Sequence, residues 1–235
     1  MANSGFRFKK FTIRQDQTAM KVGTDGVLLG AWADITGCRR ILDVGTGTGL
    51  ISLMLAQRTE AFIDAIEIDP EAAEQATQNV ADSPWPDKIN VICSSFQNFY
   101  NKPLSKYDLV VCNPPFFSNS LKAKSLTRTL AKHNDTLELG ELLKGTINLL
   151  NSSGHLSIIL PAESEHGMIA LSKKNHLFLA KILRIRPIPG KSFKRILMDF
   201  SLSDQGLIER EMNIETGPRH QYSKEYLDLT RDYYL

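Results

Sequence analysis

The sequence predicts an α/β domain: a mostly parallel seven-stranded sheet that ends in an antiparallel C-terminal hairpin. Three observations predict it. From about residue 39 onward, short apolar runs alternate with helical patterns, the signature of stacked βαβ units. The first apolar run turns into a helix through a glycine-rich corner, Leu42-Asp43-Val44-Gly45-Thr46-Gly47-Thr48-Gly49. The last two runs are joined by Pro187-Ile188-Pro189-Gly190 instead of a helix, a connection that suits antiparallel neighbours.

Taken in order, strands are expected over residues 40–44, 61–67, 89–93, 107–112 and 155–160, with the antiparallel pair at 177–185 and 195–202. Helical periodicity covers 49–58, 70–81, 137–150 and 163–175. Pro70 fits a first helical turn, where its missing N–H costs nothing, and Ser83-Pro84-Trp85-Pro86 ends that helix. The whole chain, 1–235, reads as one domain: a basic and aromatic N-terminal extension (1–33), a core carrying the chemistry (34–203) and a tail (204–235).

Composition narrows the class. The 235 residues are 42% hydrophobic and 23% charged, with 28 Lys and Arg against 26 Asp and Glu, which excludes disordered, collagen-like and disulfide-scaffold chains. Cys38, Cys93 and Cys112 are far apart and form no metal-binding spacing with the histidines, so neither a disulfide frame nor a metal site is expected. The first residues lack a basic-then-apolar signal and no stretch is long enough to cross a bilayer, so a cytoplasmic monomer without membrane contact is expected.

A net charge of +2 hides an asymmetry. Residues 34–100 hold ten acids and four Lys or Arg, whereas 166–198 holds eight Lys or Arg and no acid. Lys9 and Lys10 near the start, Lys122, Lys124 and Arg128 in the middle, and Lys191, Lys194 and Arg195 near the hairpin are candidate contacts to RNA phosphates. A solvated surface is the alternative. The alternating Phe6, Phe8 and Phe11 either stack on bases or bury one face of a strand.

The glycine corner lets backbone approach a ligand where side chains would collide. Its G-x-G-x-G spacing differs from the G-x-G-x-x-G that seats a pyrophosphate, and Asp43 would repel a phosphate. Glu67, at the end of the second strand about twenty residues on, can accept both hydroxyls of an unphosphorylated ribose. A cationic, phosphate-free nucleoside bearing an amino acid fits these groups, and S-adenosylmethionine is such a molecule. The fourth strand runs into Asn113-Pro114-Pro115-Phe116. Two prolines fix φ and remove two donors, leaving carbonyls free at a rigid corner. The Asn113 side-chain oxygen and the Pro114 carbonyl can accept from an exocyclic amine as its nitrogen becomes tetrahedral, and Phe116 offers a face to a flipped-out base.

On these motifs the chain resembles the class I S-adenosylmethionine-dependent methyltransferases that act on amino groups. Nearly the whole chain is similar to the bacterial tRNA1(Val) (adenine(37)-N6)-methyltransferase family, most specifically over the block from Met20 to Trp32 and the tail Tyr222-Ser223-Lys224-Glu225-Tyr226. The resemblance implies a Rossmann-like fold, S-adenosylmethionine as cofactor, tRNA as partner and methylation of the adenine beside the anticodon. It also implies cofactor contacts from Lys21, Thr24, Asp25, Asp43, Gly45, Thr46, Gly47, Gly49, Glu67, Ile68 and Asn113. One position departs: where such enzymes carry an acid after the third strand, this chain has Ser95, so the adenine is expected to be held by the Ser95 hydroxyl and the Phe96 backbone.

Three rivals stay open at this point. A protein glutamine methyltransferase uses the same Asn-Pro-Pro corner but carries a helical domain ahead of the glycine turn, where this chain is basic and aromatic. Ribosomal RNA is an alternative substrate. A non-catalytic RNA-binding protein on a degenerate fold is opposed by the intact Asp43, Glu67 and Asn113.

Overall fold

A computed structural model describes residues 5–16, 18, 21–101, 105–115 and 137–235. The chain opens with a small antiparallel pair, β1 (Gly5–Arg7) and β2 (Thr12–Arg14), followed by α1 (Thr24–Trp32). The βαβ march then runs β3 (Arg40–Val44), α2 (Leu50–Ala56), β4 (Phe62–Glu67), α3 (Pro70–Ala81), β5 (Ile89–Cys93), α4 (Phe96–Tyr100) and β6 (Tyr107–Cys112). It continues with α5 (Leu139–Leu149), β7 (Leu150–Pro161), a short 3-10 turn, α6 (Glu165–Lys174), β8 (Phe178–Arg186), β9 (Arg195–Ser201), β10 (Ile208–Asn213) and α7 (Lys224–Thr230).

The main sheet has the order β10-β8-β9-β7-β6-β3-β4-β5, with β9 antiparallel to both neighbours and every other pair parallel. The expected fold class is therefore present, with one addition. An eighth strand, β10, comes from the segment read as a tail and pairs with β8 from Ile208↔Lys181 to Asn213↔Arg186. Its sequence Ile-Glu-Arg-Glu-Met-Asn is too polar to announce a strand, because only Met212 is buried.

Strand residues alternate between two apolar layers, as a pleat of period two requires. Ile41, Ile63, Leu109, Ile159, Leu183 and Leu197 face α1, α2 and the terminal segments. Leu42, Ile66, Val110, Ile158, Ile182 and Met198 face α4, α5 and α6. Helix α1 belongs to the core rather than to an extension, since Val27, Leu28 and Leu29 are fully buried. Its Gly30 is where α2 comes closest: a Cβ there would stand 2.9 Å from Met54 Sδ.

The N-terminal pair packs against the last residues of the chain. Phe8 stacks on Phe11 at 4.7 Å and on Tyr234 at 6.0 Å, Tyr234 meets Tyr226 at 6.5 Å, and Tyr226 stacks on Tyr222 at 5.1 Å. Phe8 and Phe11 are buried, so the choice left open by the sequence resolves to core packing, not base stacking.

Candidate active site

In open α/β sheets ligands bind outside the carboxyl ends of the strands, and the predicted groups meet there. Gly45, Gly47 and Gly49 all take left-handed φ values, +72°, +57° and +81°, which a side chain would strain. Nothing lies within 4 Å of where a Cβ would stand on Gly45 or Gly47, so the turn leaves a cradle open above it. The turn is hooked to the end of β4: Gly45 N and Thr46 N both donate to Ile66 O, at 2.9 and 3.0 Å. Glu67 Oε2 accepts from Gly47 N at 2.8 Å, and Oε1 accepts from Ile68 N and Asp69 N at 2.9 and 3.0 Å. Asp69 then caps α3, accepting from Glu71 N at 2.9 Å.

Asp43 is fully buried beneath the turn. Its Oδ2 accepts from Thr46 Oγ1 at 2.6 Å and Ser52 Oγ at 2.7 Å, whereas Oδ1 has no hydrogen-bond partner. Burial raises its pKa to about 6, with the Thr46 and Ser52 hydrogen bonds pulling the other way. The buried Oδ1 of Asn113, past the end of β6, is likewise without a partner among the described residues. Buried polar atoms are normally satisfied, and of the six side-chain atoms left without a partner among the described residues these two stand at the carboxyl ends of adjacent strands, β3 and β6. They fit a ligand that brings donors and a positive charge.

Some predicted residues are used differently. Ser95 is the N-cap of α4, its hydroxyl accepting from Asn98 N at 3.2 Å, and the Phe96 ring is buried against Tyr100. Asp25 accepts from Arg195 Nε at 2.7 Å, so the first turn of α1 and the start of β9 are tied together beside the site. Lys21, just before that turn, and Thr24, its first residue, are exposed. Pro114 is buried and Pro115 exposed; Phe116, Lys122, Lys124 and Arg128 lie outside the described residues. Lys191 and Lys194 sit on the β8–β9 turn at the carboxyl edge, since Arg195 pairs with Pro161 at the end of β7. Lys9 and Lys10 do not join them. Their turn packs on the terminal segment, where Lys9 Nζ donates to Arg231 O and Lys9 N to Tyr233 O.

Two supporting residues escaped the sequence reading. Ser52 supplies the second hydroxyl to Asp43. Asn79, buried in α3, accepts from Arg14 N at 2.8 Å and donates to Arg14 O and Thr48 O, both at 2.9 Å, stapling the N-terminal segment to the glycine turn. Its signal was there: an amide among Ala72, Ala73, Ala76 and Val80 on the apolar side of α3 needs buried partners.

A glycine turn that shuns phosphate, a strand-end carboxylate and a proline corner on one sheet edge define a class I methyltransferase. The methyltransferase small domain family matches residues 23–165. The tRNA1(Val) (adenine(37)-N6)-methyltransferase of Bacteroides thetaiotaomicron is 48% identical over 100% of this chain and 99% of its own length, and the enzyme of that name from Flavobacterium psychrophilum is 47% identical over 98% and 99%. The chain belongs to the tRNA1(Val) (adenine(37)-N6)-methyltransferase family. Among solved structures, the predicted O-methyltransferase Atu636 of Agrobacterium tumefaciens superposes with a TM-score of 0.67 at 23% identity, covering 89% of this chain and 96% of that one. TYW2 of P. horikoshii, solved with MeSAdo, gives 0.58 at 12% identity over 85% and 71%. Both likenesses concern the fold. No described helix is long and apolar enough to cross a membrane.

Proposed function

We infer that this chain transfers a methyl group from S-adenosylmethionine to the N6 amine of adenine 37 in tRNA1(Val), working in the cytoplasm as a monomer. The observation that carries the reading is the pair of orphaned buried acceptors, Asp43 Oδ1 and Asn113 Oδ1, at one sheet edge. Asp43 would take the cofactor's ammonium end, the glycine turn its carboxylate end and Glu67 its ribose. The cofactor supplies an electrophilic methyl on a sulfonium.

The remaining work belongs to the corner after β6. The adenine N6 lone pair is conjugated into the ring, which makes it a poor nucleophile. Asn113 Oδ1 and the Pro114 carbonyl accept its two hydrogens, and those bonds strengthen as nitrogen becomes tetrahedral, so they favour the transition state over the bound substrate. Holding nitrogen in line with the methyl supplies much of the rate. The extra proton on the methylated nitrogen leaves to solvent.

Purified protein, unmodified tRNA1(Val) and labelled cofactor test the reading. N6-methyladenosine at position 37, found by nucleoside mass spectrometry, is the expected product; label in ribosomal RNA or protein alone overturns it. Glu67→Ala should weaken the cofactor about ten- to a hundredfold by calorimetry, the worth of a charged acceptor.

A further inference from the structure

The acid-free span 166–198 is less basic in the fold than in the sequence. Asp34 pairs with Lys181 at 2.6 Å, Glu165 and Glu209 with Arg184 at 2.9 and 2.7 Å, and Glu211 with Arg186 at 2.7 Å. Asp25 pairs with Arg195. Among the described residues no acid pairs with Lys173 and Lys174 at the end of α6 or with Lys191 and Lys194, and the last two leave unbalanced charge on the β8–β9 turn at the carboxyl edge. A second loop, residues 214–223, lies directly beside it: Ile214 N donates to Arg186 O and Glu215 N to Pro187 O, both at 2.9 Å.

That loop is preformed. Glu215 bridges Tyr222, Thr216 N donates to Gln221 O at 2.8 Å, and His220, at φ +65°, donates its N–H to Glu215 Oε1 at 2.8 Å. It carries Arg219, which is exposed, and Tyr222, whose ring stacks on buried Tyr226 at 5.1 Å and 29° while Tyr222 stays 41% exposed. A large aromatic fixed on one side and open to water is what base stacking needs. Four strand spacings of about 4.8 Å separate β6 from β10, so this loop stands about 20 Å from Asn113, with Lys191 and Lys194 between.

We propose that the 214–223 loop is a docking surface for single-stranded RNA flanking the methylated adenosine, in which Tyr222 stacks on an unpaired base and Arg219, with Lys191 and Lys194, contacts phosphates. The proposal rests on the tRNA reading above. Charge and chemistry favour this occupant: the cationic β8–β9 turn stands between the target corner and the loop that carries Arg219 and the aromatic platform, and RNA sequences are read mainly where bases are unpaired. The carboxylate in the loop, Glu215, is partly satisfied by the His220 N–H.

Methyl-transfer kinetics on unmodified tRNA1(Val), with calorimetry for the cofactor and thermal unfolding, test it. Tyr222→Ala should raise KM for tRNA about tenfold, one lost stack, with kcat and cofactor affinity within twofold of wild type, and Tyr222→Trp should restore KM. Arg219→Ala should lower the log-log salt slope of RNA binding by about 0.7 to 0.9, one phosphate contact. Unchanged KM in Tyr222→Ala, while the wild-type chain methylates tRNA, overturns the docking surface alone. Equal losses in Tyr222→Ala and Tyr222→Trp with a lowered Tm overturn it as well, by assigning Tyr222 to packing. Failure of the wild-type chain to methylate tRNA overturns both readings.

Discussion

Two buried aspartates, Asp43 and Asp199, occupy one row of the sheet, because Asp43 pairs with Val111, Val111 with Ser157, and Ser157 with Asp199. Both accept from neighbouring hydroxyls: Asp43 from Thr46 and Ser52, Asp199 from Ser157 at 2.6 Å. They differ in the cation. Asp199 has His155 Nδ1 at 3.0 Å, and although burial alone would lower the imidazole pKa, the hydrogen bond and charge of Asp199, with Cys38 beside it, raise it to about 10. Among the described residues Asp43 has no cation and one oxygen without a partner, and its pKa is pushed up to about 6. The same residue at the same level thus closes a structural pair in one place and leaves a vacancy of charge in the other, three strands of about 4.8 Å apart. The difference teaches where a ligand's positive charge is wanted.

The largest expected effect breaks the closed pair. Asp199→Ala takes the charged partner from buried His155 and the acceptor from Ser157 Oγ, and should cost about 3 to 5 kcal/mol in denaturant unfolding, with kcat per folded molecule unchanged. A selective loss of turnover would place Asp199 in the chemistry and end the contrast. Next comes the corner: Asn113→Ala should lower kcat on the order of a hundredfold, about 2.7 kcal/mol, while calorimetry finds cofactor affinity nearly intact. Asp43→Asn keeps an acceptor but removes the charge. Cofactor affinity should fall about ten- to a hundredfold at neutral pH, and stability should not, because burial already disfavours the ionised form.

A pH titration sharpens the comparison, since the two sites respond in different pH windows. His155 has a raised pKa, so its contribution to stability is complete below its ordinary value of 6.5 and is lost as pH rises through about 10. Asp43 also has a raised pKa, so its contribution is complete below its ordinary 3.8 and is lost as pH rises through about 6. A cationic ligand reverses that preference at Asp43, and cofactor affinity should weaken as pH falls below about 6. Asp43→Asn should flatten the binding profile and leave the alkaline stability profile alone; Asp199→Ala should do the reverse. The smallest effect is expected at Asp69→Ala, which removes the α3 cap for about 1 kcal/mol.

The closed pair was invisible in the sequence and the open one was not. Asp43 precedes a glycine turn and Asn113 precedes two prolines, local signals that survive without coordinates. His155 and Asp199 are 44 positions apart and meet only because β7 and β9 pair in a particular register. The same reason hid the neutralisation of Arg195 by Asp25 and of Arg186 by Glu211, so the basic span looked more exposed to a polyanion than it is. Strands in the core were legible because both faces are buried and their runs are continuously apolar. Strand β10 was not, since its acids earn their place by pairing across to β8.

The row of rings from Phe11 and Phe8 through Tyr234 and Tyr226 joins residues separated by more than two hundred positions in the chain. During synthesis the N-terminal pair emerges first and finds Asn79 and Trp85 once α3 and the turn after it have formed, but Tyr226 and Tyr234 do not exist until α7 and the residues after it have been made. Until then the side of the Phe8 ring that meets Tyr234 waits uncovered. The ring row is therefore among the later contacts that synthesis can complete, and until α7 and Tyr234 have been made the N-terminal pair is held by only part of its partners.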